Sequence, residues 1–286
     1  MKKLFFIVFV LSLAIISFAQ ITYIPTEAQL HQFLKTKTYV VKDPQIMSEF
    51  NIGIDTSIHC CWHITPYQII SYNQFKHLKD SKNNSYLMTV TVFPNKHPDQ
   101  AYDFLMLLLG GHGKNVPYMP VIAGVPLDFH ANENFSYYYK LPAFVKFIQK
   151  HVKILLNNPK LLSKNKLYNY YKHNLHNLKN KTIVFTPDQL AYSVNTVDKI
   201  HRYYAGKVAI VSQDSLVKLI QSGDTSIVFA HIAAPSPDQM KPYSKCYKFL
   251  LDVNGNLYYY GWHRMNPADK NTFLIRDFIK INKKTF

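Results

Sequence analysis

LKTKTYVV, residues 34–41, returns as LKNKTIVF at residues 178–185. Each carries a lysine-rich approach and then a short apolar or β-branched run, the pattern of a strand bounded by polar residues. The neighbouring segments repeat in the same order. IISYNQFKHL (69–78) is matched by IVSQDSLVKL (210–219), Ser85 by Ser226, Pro94 by Pro235, and DFLMLLLGG (103–111) by KFLLDVNGN (248–256). The offset between partners changes by only a few residues along the chain. Collinear anchors with small insertions between them are what a diverged tandem duplication produces, so the chain reads as one plan used twice.

Outward from the anchors, each copy predicts the same elements. Strands are expected at Thr38 to Val41 and at Thr182 to Phe185. In the first copy Ile46, Phe50, Ile54, Ile58 and Trp62 recur every four residues, one face of a helix. In the second, Leu190, Val194, Val197, Ile200 or His201, and Tyr204 predict the matching helix, with Thr186-Pro187-Asp188 as its start. Second strands follow at Tyr67 to Ile70 and Val208 to Val211, and Ser71 and Ser212 stand where the N-cap of a short helix belongs. Third strands are expected at Tyr86 to Phe93 and Ile227 to Ala233. In the second copy CYKFLLDV and LYYYGW flank Asn254-Gly255, a hairpin turn. The first copy has a longer excursion there, Gly110 to Asn134, before a short strand at Tyr137 to Tyr139. Closing helices are expected at Pro142 to Leu156 and Pro267 to Ile279, each with proline in its first turn. Between the copies, Leu161, Tyr168, Tyr171, Leu175 and Leu178 share one face of a connecting helix. The expected fold is α/β: two tandem copies of a β-α-β-α-β-β-β-α sandwich, each a mixed sheet covered by helices, joined by a basic helix. The divisions are 1–19, 20–158, 159–179 and 180–286.

The first of these divisions reads as a secretory signal peptide. Met1-Lys2-Lys3 precedes an apolar run from Leu4 to Ala19, which ends Ser17-Phe18-Ala19 before Gln20. The run falls short of the roughly 20 residues that span a bilayer. The protein is therefore expected to be exported, whether periplasmic, outer-membrane-associated or secreted, with no membrane span after cleavage. Three cysteines, Cys60, Cys61 and Cys246, leave at least one thiol outside any intrachain pair. A bridge between neighbours is disfavoured by the short reach of one peptide unit, and a bridge from either neighbour to Cys246 stays open.

The sequence resembles the small α/β domain of exported envelope proteins, the type of the TolB amino-terminal domain and the curli-secretion lipoproteins. The segment that carries the likeness is YQIISYNQFKHL to YLMTVTV (67–92), a strand, a Ser-capped helix and a further strand. It covers about 25 residues in each copy and lacks the glycine those proteins often place in the later strand. More generally the chain is similar to uncharacterised exported tandem-domain proteins of Gram-negative bacteria. The resemblance implies an interaction module of the envelope and no catalysis. The order of elements also resembles the thioredoxin fold, but no C-x-x-C is present to carry its redox chemistry.

The net charge of +16 rests on lysine: of 33 basic residues, only Arg202, Arg264 and Arg276 are arginine. Arginine is the residue that reads phosphates and base edges in bidentate fashion, so nucleic acid is not the expected partner. An envelope protein, or an anionic membrane or polysaccharide surface, is. From Asn134 to Pro187 there are ten lysines and no acidic residue, interleaved with tyrosines and phenylalanines. Lys160, Lys164, Lys166 and Lys172 on the connecting helix are the candidate anion-binding residues. The alternative is a metal-dependent enzyme or metal-binding protein. Asp55, His59 and His63 fall at i, i+4 and i+8 around His59-Cys60-Cys61-Trp62-His63, a spacing that could hold zinc or copper. Against it, Thr65 precedes Pro66, which ends the helix near His63, and the second copy keeps no such set. The plainer reading buries Ile58, Cys61 and Trp62 and leaves His59, Cys60 and His63 at the edge. GGHGK (110–114) lacks the Ser/Thr and the following helix of a phosphate loop, and reads as a turn. No nucleophile elbow, metalloprotease or dinucleotide motif occurs, and no cofactor is expected.

Overall fold

The computed structural model describes residues 24–44, 48–94, 97–111, 115–132 and 137–286. Residues 1–19, Ile46, and residues 112–114 of the glycine-rich turn lie outside them.

The first sheet is built from β1 (Lys37–Val41), β2 (Tyr67–Ile70), β3 (Asn84–Val92), β4 (Tyr102–Leu109) and β5 (Val121–Phe129), in the order β2-β1-β3-β4-β5. β1 runs parallel to β2 and β3, and β3, β4 and β5 are antiparallel. The second uses β6 (Thr182–Phe185), β7 (Lys207–Ile210), β8 (Ile227–Ala233), β9 (Lys245–Leu251) and β10 (Leu257–Arg264), in the order β7-β6-β8-β9-β10. Its directions are the same: β6 is parallel to β7 and β8, and β8, β9 and β10 are antiparallel. The two halves share one topology, strand for strand. Helices also correspond: α3 (Tyr72–Leu78) and α7 (Gln213–Gln221) link the second and third strands, and α4 (Leu141–Asn157) and α8 (Ile275–Thr285) close the halves. Ser71 and Ser212 cap α3 and α7, each accepting a hydrogen bond from a backbone N–H three residues on. The correspondence extends upstream, where α1 (Glu27–Leu34) precedes β1 and a 3-10 stretch, Asn174–Asn180, precedes β6.

Four expectations fail in detail. The excursion of the first copy contains its last strand. β5 occupies Val121–Phe129, and Tyr138–Lys140 is a 3-10 turn. Gly124 and Pro126 disguise the strand; proline is tolerated there because β5 is an edge strand that need not donate outward. The second copy's first helix is broken into 3-10 turns at Pro187–Gln189 and Tyr192–Val194 and a short α6 (Val197–His201). The N–H of Ala191 bonds to the carbonyl of Phe273, and the N–H of Phe273 to that of Gln189, so this backbone is withdrawn from helical pairing. The closing helix α8 begins at Ile275, eight residues later than Pro267. The connector is a 3-10 turn at Pro159–Leu161, α5 (Lys164–His173) and the 3-10 stretch that follows.

α4 sets the arrangement of the whole. On one side it packs on α2 (Glu49–Cys61), α1 and β5; on the other, Phe144 meets His231 of β8 at 4.9 Å between ring centroids. Ten of its residues are buried, and the largest hydrophobic cluster runs from Leu30 and Phe50 through α4 to Phe229, Phe249 and Leu251. The Asn254-Gly255 hairpin turn abuts the helix. Gly255 has φ +73°, and a Cβ there would stand 2.4 Å from the backbone nitrogen of Phe147. Only glycine fits both the left-handed backbone and this close approach. Lys146 Nζ donates to the Val253 carbonyl and Lys150 Nζ to Asn256 Oδ1, tying the turn down. Across the seam Tyr102 Oη donates to the Lys245 carbonyl and accepts from the Lys245 N–H.

Candidate functional site

The HCCWH segment is the end of α2. Ile58, Cys61 and Trp62 are buried, while His59, Cys60 and His63 are exposed. Trp62 turns to extended backbone (ψ 119°), which carries His63 off the stripe shared by Asp55 and His59. Gln149 of α4 catches this end: its Nε2 donates to the Cys61 carbonyl at 2.6 Å, and its Oε1 accepts from the His63 N–H at 2.7 Å. The indole Nε1 of Trp62 donates to Thr65 Oγ1, which continues into a buried hydroxyl chain through Thr38, Ser85 and Thr36. Two of the three candidate ligands have other partners. Asp55 Oδ2 accepts from Lys42 Nζ at 2.6 Å, and His59 Nδ1 donates to the Asp55 carbonyl at 2.7 Å. No group of three or more His, Cys, Asp or Glu side chains among the described residues is placed to hold a metal ion. Asp55, His59 and His63 are therefore not brought together as a ligand set. Contrary to the expectation that a bridge between neighbours is disfavoured, Cys60 and Cys61 pair with each other, and Cys246 is buried and free. The bridge left open between Cys246 and either neighbour is not made.

Three further histidines have partners in the fold, while His112 lies outside the described residues. His231 is buried on β8 and bonds through Nε2 to the Pro126 carbonyl of the other half. Burial pushes its pKa down to about 3. His130 pairs with Asp103 at 3.0 Å, and His263 bonds to the Lys270 carbonyl. Gly110 and Gly111 follow the end of β4, with Gly111 at φ +83°.

The connector leads to a different place. α5 packs against β10, the edge strand of the second sheet, beside α8. Between them lies a cavity of about 630 Å³. Lys164 and Lys172 enter it from α5, and Lys280, Lys283 and Lys284 from α8. Tyr168, Tyr171, Tyr258, Tyr259, Tyr260 and Trp262 supply its rings. No Asp or Glu lines it. Trp262 and Tyr168 are 43% and 49% exposed, which puts large apolar faces in contact with water. Lys172 lies 5.9 Å from the Tyr168 ring and Lys245 5.1 Å from that of Trp262. Each ammonium group partly offsets the negative face of its ring.

The floor is rigid. His151 of α4 is buried, bonds through Nδ1 to Tyr171 Oη at 2.7 Å and lies parallel to that ring. Burial lowers its pKa to about 4, so it is a neutral partner at pH 7. Tyr259 Oη donates to Asp277 Oδ1 at 2.7 Å, and the other Asp277 oxygen takes the ammonium of fully buried Lys248 and the Leu274 N–H. Burial is the largest single influence and raises the Asp277 pKa; the Lys248 charge together with the hydrogen bonds from Lys248, the Leu274 N–H and Tyr259 outweigh it and hold the carboxyl below its ordinary value.

Of the four lysines expected on the connector, the structure places Lys164 and Lys172 in the cavity wall, while Lys160 and Lys166 are exposed and do not line it. The α8 lysines and the β10 aromatics were not among the expected residues. Their signal was present as LYYYGW at 257–262 and KINKK at 280–284, two runs that topology alone brings together.

No family model, curated protein or solved structure matches the chain. No helix among the described residues is long and apolar enough to cross a membrane.

Proposed function

We propose that this is an exported, non-enzymatic binding or scaffolding protein of the cell envelope, and that it holds an anionic ligand in the groove between α5, β10 and α8. One observation carries the reading: five ammonium groups and six aromatic rings line a single cavity with no carboxylate among them. Its volume falls within the roughly 300–1,000 Å³ of small-ligand sites. Five like charges in one cleft repel each other, and an anion relieves that repulsion. Export and the envelope location rest on the amino-terminal sequence.

Binding to a sulfated dextran tests it, with the charge of the whole molecule as control. One variant replaces Lys164, Lys172, Lys280 and Lys283 with Gln. A second replaces Lys35, Lys76, Lys207 and Lys218, all exposed and none lining the groove. The net charge drops equally in both. The groove variant is expected to lose at least about tenfold in affinity, or about 1.4 kcal/mol, and the control much less. Equal losses would mean that total charge, screened beyond about 8 Å at physiological salt, does the binding, and the groove reading falls.

A further inference from the structure

A second cavity, of about 260 Å³, lies against the first. Both are lined by Tyr171, Leu257 and Tyr258, so one ring and one strand end separate them. Their chemistry differs. The first presents ammonium groups and rings. The second presents the carboxamides of Asn174, Asn177 and Asn256 with Lys150 and Tyr170. A carboxamide both donates and accepts, which matches a hydroxyl group that does the same. Asn174 already donates to the Leu257 carbonyl and Asn256 to Asp252, so these two are held in place rather than free to turn. Asn177 is exposed at the mouth.

We infer that the two cavities form one continuous site for an acidic oligosaccharide, with anionic sugar units over the lysines and hydroxyl groups read by the asparagines beyond Tyr171. The inference rests on the proposed function above and names its ligand class. The lining argues against the competing anions. An acyl chain seeks aliphatic walls, yet Leu167, Leu175 and Leu257 are the aliphatic side chains of the larger cavity. A nucleic-acid strand is gripped best by arginine forks, and every cation here is lysine. A sugar ring offers what the site can use: an apolar face for Trp262 and Tyr168, hydroxyl groups for the carboxamides, and dispersed single charges for the ammonium groups.

Calorimetry of the full chain with oligogalacturonates of increasing length tests this, beside neutral maltooligosaccharides, inorganic polyphosphate and phosphatidylglycerol vesicles. Affinity is expected to rise at least about tenfold from the dimer to the longest chain, with no binding of the neutral sugars. Asn177→Asp, which keeps the shape and repels an acidic chain, and separately Lys150→Gln are each expected to cut that gain while leaving the dimer affinity in place. If polyphosphate or vesicles bind through the groove lysines and oligogalacturonates show no length dependence, the anion groove stands and the sugar reading is overturned. If no probe binds, or binding ignores Lys172 and Lys283, both fall together.

Discussion

Gln149 answers at a distance the question raised by two cysteines between two histidines. Its carboxamide satisfies the carbonyl and the N–H released where α2 ends, so the exposed histidines are a by-product of stopping a helix there. The sequence shows which of these residues are apolar and that Pro66 is near. It does not show a partner more than eighty positions away. Lys248 and Asp277 are a harder case of the same kind: nothing local marks a lysine inside a strand as fully buried. Removing one charge of such a pair leaves the other unpaired in a dry site. Asp277→Asn is expected to cost about 3–5 kcal/mol, read as a lowered urea midpoint. Lys248→Met combined with Asp277→Leu should restore much of it. A cost under about 1 kcal/mol for the single change would show that the pair is not ionised in the fold.

At the scale of elements, the parts legible in the sequence were those stabilised by neighbours in the chain. Ser71 and Ser212 are N-caps because their hydroxyls reach N–H groups three residues on. Ser71→Ala and Ser212→Ala are each expected to cost about 1 kcal/mol, and the double variant their sum, since the sites are independent. A thermal melt reads this; a sum far from additive would mean the two helices share a load. Elements fixed by remote partners were misread. The run from Leu190 to Tyr204 has helical periodicity, and Leu190, Val194, Ile200 and Tyr204 are indeed buried, but the Phe273 backbone claims the hydrogen bonds of its first turn. β5 was hidden by its own glycine and proline, which an edge strand accepts. The groove shows the same limit. Two of its lysines lie on the connector, where the lysines are dense along the sequence, and the other three sit on a helix whose position depends on the sheet beneath it.

For the molecule as a whole, acid should act on the layer between the sheets. His151 lies on α4 and His231 packs against it, and burial lowers their pKa values to about 4 and about 3; Lys140 is a second cause at His231. The unfolded chain takes up these protons near pH 6.5, the folded chain only well below. Between about pH 6.5 and 4 the unfolded state therefore holds more protons, and stability falls as pH falls. From pH 7 to pH 5 each histidine is expected to contribute a loss of about 2 kcal/mol. Urea midpoints at the two pH values check this, with His231→Phe flattening the difference; an unchanged slope would show that His231 is protonated in the folded state.

Duplicating a domain ordinarily gives two parts that can later go separate ways. Here the helix that finishes the first part has become ground on which the second is built, and Gly255 is pressed against it where no side chain could be. The two halves repeat the order of their strands, yet a half taken alone would leave the buried face of α4 and the seat of Gly255 open to water.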